Sequence, residues 1–552
     1  MDPLKVTLEN GKTLECKPGT IVGSLCPAPR ADSGLDYIAA LVNNDTASLS
    51  YPLTTNCSVR FLTMADPNGW RIYRRSLCFL LAKTVKELYP DSEFSVDHSF
   101  GLGLYCSLRE PGKDGCSHET VEAIENRMME LTQKNITIER HKIAFTEAIE
   151  EFRRSGQLDK INLLKYRNPP RVVLHWCDGF SDLSHGPLVQ KTGMLRFFKL
   201  IHYKPGFVLH LPDRKHAGKI PPFEDQPHLF NIFQEHKKWG RILGVDTVGK
   251  LNEITATGGI EHFILTAEAL HEKKLSGIAD QITESKARVI LIAGPSCAGK
   301  TTFSKRLATH LMVNGLKPVT IEMDDYFVGP ESNPLDENGN PDFEHIEAVD
   351  LELFNRNMLD LLDGKEVDLP NFNFSKKSRE YLGRKLKINP DQPVIIEGIH
   401  GLNPRLTEKI PQKTKFKIYI SALTQLSVDS HNRISTTDNR LMRRIVRDHN
   451  FRAYHAIETM RQWPSVRRGE KKWIFPFQKE ADATFNSALD YELAVLKPIV
   501  EPLLMQIKPN NPEYAEARRL TEFLLNFLGT PDNPVPRTSI LREYIGGSCF
   551  DY

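Results

Sequence analysis

The sequence predicts several domains of two classes. A mixed α+β region is expected in the N-terminal half, followed by a C-terminal α/β domain whose parallel sheet carries helices on both faces. The length of 552 residues suggests three or four domains. After about residue 286, apolar runs typical of buried strands alternate with helical stretches, as in βαβ crossovers. Before that point, strand and helix patterns are mixed, and the first residues alternate between polar and apolar, as in a strand with one buried face.

Composition is that of a globular protein, with 40% hydrophobic and 26% charged residues. These values exclude collagenous, disulfide-scaffold and wholly disordered chains. The 72 Lys and Arg residues nearly balance 70 Asp and Glu residues, which argues against a polycation that holds nucleic acid by bulk charge and leaves a local basic patch as the alternative. Nine cysteines without a C-x-x-C pair indicate reduced thiols. With no targeting signal and no run of about 18 apolar residues, we expect a cytoplasmic protein without a membrane span.

The N-terminal half opens with a predicted hairpin over residues 4–23, where two alternating runs flank the turn signal Asn10-Gly11. Further strands up to about Met64 would complete a small β-rich unit. The other expected elements are helices over 70–89 and 117–151, strands over 171–176 and 207–211, and a helical connector over about 230–285.

The C-terminal domain is predicted from three apolar runs, at 288–293, 319–323 and 394–396. Each run is followed by loop residues, and helical stretches separate the runs, so they favour parallel strands. Residues 329–343 are dense in Gly, Pro, Asn and Asp and predict a long loop, a feature that is usually functional or disordered.

The most specific motif is the phosphate loop, which fits G-x-x-x-x-G-K-[ST] between a predicted strand and a predicted helix. Its backbone N–H groups and the positive end of the following helix are suited to nucleotide phosphates. Lys300 is expected to reach the β- and γ-phosphates, and Thr301 to ligate Mg²⁺. The predicted ATP-binding residues are Gly294, Pro295, Ser296, Cys297, Ala298, Gly299, Lys300, Thr301 and Thr302. A Gly-rich turn at a helix start is the alternative.

Carboxylates follow two of the predicted strands, where α/β sheets bind their ligands. Asp324 and Asp325 follow the second run, and one of them could accept a proton from an acceptor hydroxyl. Their alternative role is to cap the next element. Glu397 ends the third run and is suited to Mg²⁺ or its bound water, unless it is a plain strand-end residue.

Arginines form a stripe on one face of a predicted helix, at Arg440, Arg443, Arg444 and Arg447. In a phosphoryl-transfer enzyme such a stripe is a lid that neutralises the moving phosphate, so Arg443 and Arg447 are candidate catalytic residues. A solvated or RNA-facing basic helix is the alternative. Cys297, inside the phosphate loop, is a candidate redox-sensitive thiol or an inert small residue.

The stretch from about Lys286 onward resembles the uridine kinase/phosphoribulokinase group of P-loop kinases. The motifs occur in the order of that family: GPSCAGKTT at 294–302, MDDYF at 323–327, PDFEHIEAVD at 341–350, LPNFNFSKKSR at 369–379, VIIEGIHGLN at 394–403 and RLMRRIVRD at 440–448. The resemblance implies a P-loop NTPase fold, ATP and Mg²⁺ as cofactors, and phosphoryl transfer to a small alcohol.

The same resemblance assigns roles to single residues. It places the base toward a ribose 5′-hydroxyl on Asp324 and the ribose-binding acid on Glu344. The positions that hold the nucleobase fall on Phe372 and Lys377, and the substrate-side lid arginines fall on Arg440 and Arg452. Glu344 and Lys377 depart from the Asp and His of uridine kinases, which indicates an altered acceptor pocket.

The N-terminal half has resemblances of its own. Residues 1–62 resemble a TGS-type β-grasp domain, and residues 63–225 resemble the second N-terminal domain of threonyl-tRNA synthetase. That domain's H-x-x-x-H motif falls on Arg75 and Phe79, with Cys177 and His185 as its remaining ligand types, so we expect no editing activity. Contact with RNA remains a candidate role of this half.

The expected domains are thus 1–62, 63–225, a connector at 226–285 and the kinase domain at 286–552. The predicted function is ATP-dependent phosphorylation of a nucleoside such as uridine or cytidine at its 5′-hydroxyl. The alternatives are a kinase of another small alcohol or sugar phosphate, and a nucleotide-gated RNA-binding regulator. A homo-oligomer is a further candidate, and we expect residues from about Leu270 onward to fold and work alone.

Overall fold

The computed structural model describes residues 2–113, 115–336, 339–373 and 376–552, with backbone only at 228, 236 and 241. The chain folds into two compact units. The first contains the chain up to Gly258 together with Gln425–Ile434 and Glu501–Gly529. The second contains Gly259–Thr424, Ser435–Val500 and Thr530–Tyr552.

The strands are, in chain order, β1 (Leu4–Leu8), β2 (Thr13–Cys16), β3 (Ala39–Val42), β4 (Asp45–Ser48), β5 (Cys57–Leu62), β6 (Glu93–Phe100), β7 (Gly103–Arg109), β8 (Glu139–Ala144), β9 (Arg171–Cys177), β10 (Phe180–Leu183), β11 (Lys199–Tyr203), β12 (Gly206–His210), β13 (Val289–Ala293), β14 (Val319–Glu322), β15 (Val367–Asn373), β16 (Ser378–Leu386), β17 (Val394–Glu397), β18 (Lys415–Ser421), β19 (Ser427–Asp429), β20 (Asn432–Arg433) and β21 (Ala483–Asn486).

The α-helices are α1 (Pro67–Leu88), α2 (His118–Lys134), α3 (Phe145–Ser155), α4 (Leu158–Arg167), α5 (Pro227–Leu243), α6 (Val248–Ala256), α7 (Ile260–Ser285), α8 (Lys300–Val313), α9 (Leu351–Leu362), α10 (Thr436–Arg452), α11 (Ala456–Trp473), α12 (Glu492–Leu504), α13 (Tyr514–Leu524) and α14 (Arg542–Ile545). Every helix of the described residues is too short or too polar to cross a bilayer.

The first unit begins with a five-stranded mixed sheet in the order β2-β1-β5-β3-β4. Its opening hairpin is confirmed: β1 pairs antiparallel with β2, and Gly11 takes a φ of +79° in the turn, which glycine adopts without strain. Strand β5 returns parallel to β1, and Val6 and Val59 are buried in the core beneath the sheet.

The rest of the first unit is α+β. A four-stranded antiparallel sheet, in the order β11-β12-β7-β6, packs with the long helix α1, whose residues Leu77, Leu80 and Leu81 are fully buried. The predicted helix over 70–89 is therefore confirmed with small shifts at its ends. The predicted strands over 171–176 and 207–211 correspond to β9 and β12.

The prediction of one helix over 117–151 is wrong. Helix α2 ends at Lys134 and is capped by Asn135, whose φ of 51° is left-handed, and the chain then forms β8 before α3 begins. Strand β8 pairs antiparallel with β9 along its whole length. Residues 136–144 contain four β-branched side chains, at Ile136, Thr137, Ile138 and Ile143, and the pairing of β8 with β9 outweighs the helix-favouring charges on either side.

The second unit contains a parallel five-stranded sheet in the order β14-β17-β13-β18-β21. Helix α8 contacts β13, β14 and β17, while Phe354 and Met358 of α9 share a buried cluster with Val289 and Leu291 of β13. The predicted α/β class, with helices on both sheet faces, is confirmed.

Register brings the carboxyl ends of the central strands to one edge. Ile292 of β13 and Glu322 of β14 both pair with Glu397 of β17. The long loop at 329–343 contains only a short 3₁₀ turn and an isolated bridge among its described residues, and Glu337 and Asn338 lie outside them.

The expected connector consists of α5, α6 and α7, and the division between the compact units falls at Gly258, after α6. The boundaries predicted at 62, 225 and 285 are a finer division than these two units, and they stay predictions.

Candidate functional site

The phosphate loop joins β13 to α8, and its end glycines are required by space. A Cβ on Gly294 would lie 2.3 Å from the carbonyl oxygen of Ile420. A Cβ on Gly299, whose φ is +80°, would lie 2.4 Å from Cγ2 of Ile540. The first helical hydrogen bond runs from Phe303 N to Gly299 O, so the N–H groups of the three residues before Phe303 lie at the positive end of α8.

Lys300 and Thr301 both face Glu397. The Lys300 Nζ lies 3.8 Å from Glu397 Oε1, and the Thr301 hydroxyl donates to Glu397 Oε2 over 3.3 Å. Burial raises the pKa of Glu397 to about 7, against the opposing charge of Lys300 and with the charge of Asp324 acting in the same direction as burial. The structure thus brings the phosphate loop and the end of β17 together, as the sequence predicted.

Asp324 and Asp325 differ in their bonding although they are neighbours. Asp325 accepts a hydrogen bond from Phe372 N and one from Arg384 Nη1, each at 3.4 Å. The carboxylate of Asp324 accepts no hydrogen bond from the described part of the chain. Burial raises the pKa of Asp324 to about 6, while the charges of Lys300 and Arg452 lower it. Of the two carboxylates, Asp324 is therefore the one that the described chain does not hold by a hydrogen bond.

Glu344 is a third acid of this cluster. A Cβ atom on Gly469 of α11 would lie 2.3 Å from the Cβ of Glu344. The absence of a side chain at Gly469 therefore leaves the space that Glu344 fills. Burial raises the pKa of Glu344 to about 7, Glu470 adds to that rise, and Arg444 and Lys300 oppose it. Lys300 thus acts electrostatically on Asp324, Glu344 and Glu397.

The oxygens present fit Mg²⁺. Among the described residues no group of three or more His, Cys, Asp or Glu side chains could hold a metal by itself. Mg²⁺ typically takes one or two protein oxygens and completes its shell with water and substrate phosphates. Thr301 and Glu397, one hydroxyl and one carboxylate at the loop, are such a pair.

The arginine stripe lies on α10, and its first two members are buried rather than free on a lid. Arg440, with 1% of its surface exposed, pairs with Glu470 and donates through Nε to the carbonyl oxygen of Ser296 at 2.9 Å. Arg443, which is fully buried, pairs with Glu492 at 2.6 Å and donates to the carbonyl oxygen of Cys297 at 3.3 Å.

These two bonds orient the phosphate loop. In a trans peptide the carbonyl and the following N–H point in opposite directions. Holding the Ser296 carbonyl therefore turns the Cys297 N–H away from Arg440. Cys297 itself is buried, with a φ of 57°, and Ala298 N donates to Pro295 O at 3.2 Å inside the loop.

The later arginines surround Asp448. Arg444 bridges its Oδ2 at 3.2 Å and the Ser296 hydroxyl at 3.1 Å, and Arg447 donates to its Oδ1 at 2.9 Å. Arg452 lies 3.8 Å from Asp448, and its side chain is 51% exposed. Of the predicted lid arginines, Arg452 is the one that combines exposure with an electrostatic effect on Asp324.

The two predicted nucleobase contacts lie in different environments, one buried and one exposed. Phe372, 6% exposed, lies in the core and meets Phe327 edge to face at 5.7 Å. Lys377 is exposed at the tip of the β15–β16 hairpin with a φ of 54°; residues 374 and 375 of the quoted motif lie outside the described residues.

Three acids at the loop were missed by sequence reasoning: Glu470, Glu492 and Glu543. Glu470 and Glu492 neutralise Arg440 and Arg443, and Glu543 accepts from Thr302. They come from α11, α12 and α14, far apart in sequence. The signal that could have found the first two is the stripe itself, because apolar spacing beside arginines predicts burial and hence counter-ions.

The first unit holds a separate buried charge network that sequence reasoning also missed. Lys160 lies 2.9 Å from Asp182 and 3.5 Å from Asp429, and His185 lies 3.0 Å from Asp429. Cys177 is buried at the end of β9. Within the first unit, the network joins β19 to α4 and β10.

Residues 289–494 match the family model described as Phosphoribulokinase / Uridine kinase family. The match runs from β13 into α12 and so covers the phosphate loop, Asp324, Glu344, Glu397 and Arg452. It confirms the resemblance predicted from the motifs. It supports an ATP-dependent kinase of a small substrate as the activity of this region.

Over 216 residues of its N-terminal part, the chain is 28% identical to the threonine–tRNA ligase of Francisella tularensis subsp. holarctica (strain OSU18). The alignment covers 37% of this chain and 34% of the ligase, so the chain spans about a third of that relative's length. Among solved structures, one described as a possible uridine kinase from Bacillus stearothermophilus is 17% identical, covering 39% of this chain and 98% of that one with a TM-score of 0.27. The D-glycerate 3-kinase from Cryptococcus neoformans is 14% identical, covering 46% and 87%, with a TM-score of 0.21.

Proposed function

We propose that the chain transfers the γ-phosphoryl group of ATP to the hydroxyl of a small acceptor, most directly the 5′-hydroxyl of a nucleoside such as uridine or cytidine. The observation that carries this proposal is the position of Asp324. Asp324 follows β14, and the charge of Lys300 in the phosphate loop lowers its pKa. Its carboxylate accepts no hydrogen bond from the described residues, so it is available to an acceptor hydroxyl.

In this proposal each residue has one task. The loop 294–302 binds the phosphates, and Lys300 neutralises the charge that builds on the transferred group. Asp324 takes the proton from the acceptor hydroxyl. Glu344 orients the acceptor, and Arg452 closes over it. Thr301 and Glu397 would hold Mg²⁺, which would neutralise phosphate charge when bound.

For the buried arginines we propose a positioning role. Arg440 and Arg443 hold loop carbonyls, which sets the direction of the neighbouring N–H groups toward the phosphates. The catalytic role predicted for Arg443 and Arg447 stays a prediction. The buried ion pair of Arg443 favours positioning in its case.

A second candidate acceptor is a small alcohol or sugar phosphate without an aromatic base. It is favoured by Phe372, because a ring packed edge to face on Phe327 in the core presents no free stacking surface as placed. The exposed cation of Lys377 is suited to an anionic acceptor.

The experiment is a turnover screen of the full chain with Mg²⁺ and ATP over nucleosides, sugar phosphates and pantothenate. Phosphorylated product and ADP are both measured, so that transfer is separated from hydrolysis. Lys300→Ala should lower the transfer rate by roughly 10²–10³-fold, while the control Lys273→Ala, at an exposed position on α7, should not change it. Transfer by Lys300→Ala at the parental rate would exclude the phosphate loop as the site.

For the N-terminal half we propose contact with RNA, supported by its likeness to threonine–tRNA ligases over 216 residues. A filter-binding assay with tRNA tests this proposal with and without ATP. A nucleotide-gated regulator would bind tRNA with an affinity that ATP changes, whereas absence of tRNA retention would remove this role.

A further inference from the structure

The last residues of the chain pack against the phosphate loop. Ile540 fills the space beside Gly299, and the ring of Tyr544 lies 5.2 Å from the guanidinium carbon of Arg443. Ile540 and Tyr544 are fully buried. Residues 540–544 are therefore part of the wall of the nucleotide site.

Within this wall, Glu543 contacts the first turn of α8. Its Oε2 accepts from the Thr302 hydroxyl at 2.8 Å and from the Thr302 N–H at 3.3 Å. Tyr552 adds a second contact, with its hydroxyl 2.8 Å from the Thr302 hydroxyl, and Ser548 lies 3.2 Å from the Tyr552 hydroxyl. Thr302 is fully buried under these groups.

The N–H of Thr302 is one of the donors at the positive end of α8, because intrahelical bonding starts at Phe303. A helix N-terminus after a Gly-rich loop is an anion site, and in a phosphate loop such donors serve the α- and β-phosphates. One of these donors is thus already satisfied by a carboxylate of the same chain.

We propose that Glu543 is an internal competitor of the nucleotide: its carboxylate occupies a phosphate position at Thr302, and ATP binds by displacing it together with the segment 548–552. This inference rests on the proposed function only in that the loop binds ATP, and it is independent of the acceptor. The C-terminal segment then sets the affinity for ATP.

Charge repulsion requires exchange rather than joint occupancy, and exchange in turn lowers the apparent affinity for ATP. A carboxylate and a phosphate oxygen on the same N–H would be like charges in contact in a buried site, which is strongly unfavourable. A binding-competent state that is populated only in part also lowers the apparent affinity by that fraction. Removing the carboxylate charge should therefore tighten ATP binding by roughly three- to tenfold.

The experiment is calorimetric titration of the full chain with Mg²⁺ and ATP. Glu543→Gln keeps the shape of the side chain and removes its charge. Tyr552→Phe removes the contact with the Thr302 hydroxyl. Because the side chain of Tyr552 is 57% exposed, we expect this variant to fold as the parent does. Glu284→Gln, at an exposed position on α7, is the matched control. We expect tighter ATP binding by both variants and no change in the control.

A second readout follows the segment itself. Cys549 is exposed, and a fluorophore attached there in a Cys16→Ser/Cys26→Ser background should report ATP binding through a change in emission. If Glu543→Gln does not fold, Tyr552→Phe and the Cys549 signal decide the question. Unchanged or weaker ATP binding in the folded variants, or a silent Cys549 probe, overturns the inference.

The two failures are distinguishable. Tighter ATP binding without phosphorylation of any acceptor would overturn the proposed function and support the inference. Acceptor phosphorylation with unchanged ATP affinity in both variants would support the proposed function and overturn the inference. A chain that binds no ATP in any variant would contradict both.

Discussion

At the residue scale, the neighbours Asp324 and Asp325 show how bonding separates equal side chains. Asp325 is held by Phe372 N and Arg384, whereas Asp324 faces the charges of Lys300 and Arg452. The sequence places both aspartates at the end of one strand, because the apolar run 319–323 predicts the strand and the two aspartates directly follow it. The sequence does not tell which of the two carboxylates accepts hydrogen bonds from the β15–β16 hairpin, since that depends on packing between distant segments.

The pKa of Asp324 predicts the pH dependence of the reaction. Burial raises this pKa to about 6, and a base works only when it is deprotonated. We therefore expect kcat/KM to rise with pH through about 6 and to level off above it. A pH profile with saturating Mg²⁺ measures this limb. Activity that stays constant down to pH 4.5 would mean that the base is another group.

At the element scale, α10 braces the phosphate loop through Arg440 and Arg443. The stripe was predicted correctly as one helix face, but helical spacing alone does not tell a solvent-facing row from a buried one. Burial was decided by Glu470 and Glu492, which come from α11 and α12. Strand β8 was missed for a similar reason, because its partner β9 is distant in sequence.

The contacts of Arg443 with Glu492 and with the Cys297 carbonyl predict that folding stability and ATP affinity can be changed separately. Arg443→Met and Glu492→Met should each lower the free energy of unfolding by about 3–5 kcal/mol, because each leaves a buried charge unpaired. The double variant should recover much of this loss. It should still bind ATP more weakly than the parent, since the Cys297 carbonyl is no longer held.

Chemical denaturation and ATP titration of the two single variants and the double variant check this prediction. Leu493→Met, at a buried neighbour on the same helix, controls for repacking. Parental ATP affinity in the double variant would mean that Arg443 has no positioning role.

At the scale of the whole molecule, the two compact units do not correspond to the two halves of the sequence. Gln425–Ile434 and Glu501–Gly529 belong to the first compact unit although they follow the phosphate loop in sequence. In that unit, Asp429 is fully buried beside Lys160, and Glu516 accepts two hydrogen bonds from Arg71. Composition and period gave no sign of this return, because β19 and β20 are too short to show a pattern.

This arrangement changes the expectation for a chain that begins near Leu270. Such a fragment would keep Val428 and Asp429 but lose the residues that bury them. We expect it to be less stable than the full chain and prone to aggregation, contrary to the independence predicted from sequence. Thermal melting and light scattering check this expectation. A monomeric fragment that melts at the temperature of the full chain would show that residues from about Leu270 onward fold independently.

The central claim is that Asp324 acts as the base beside a phosphate loop that binds ATP. The most direct measurement compares single-turnover phosphorylation of the accepted substrate by Asp324→Asn and Asp325→Asn. The account predicts a rate loss of roughly 10²–10⁴-fold for Asp324→Asn with ATP affinity largely kept, and a near-parental rate for Asp325→Asn. The opposite pattern, with the loss in Asp325→Asn and none in Asp324→Asn, would contradict it.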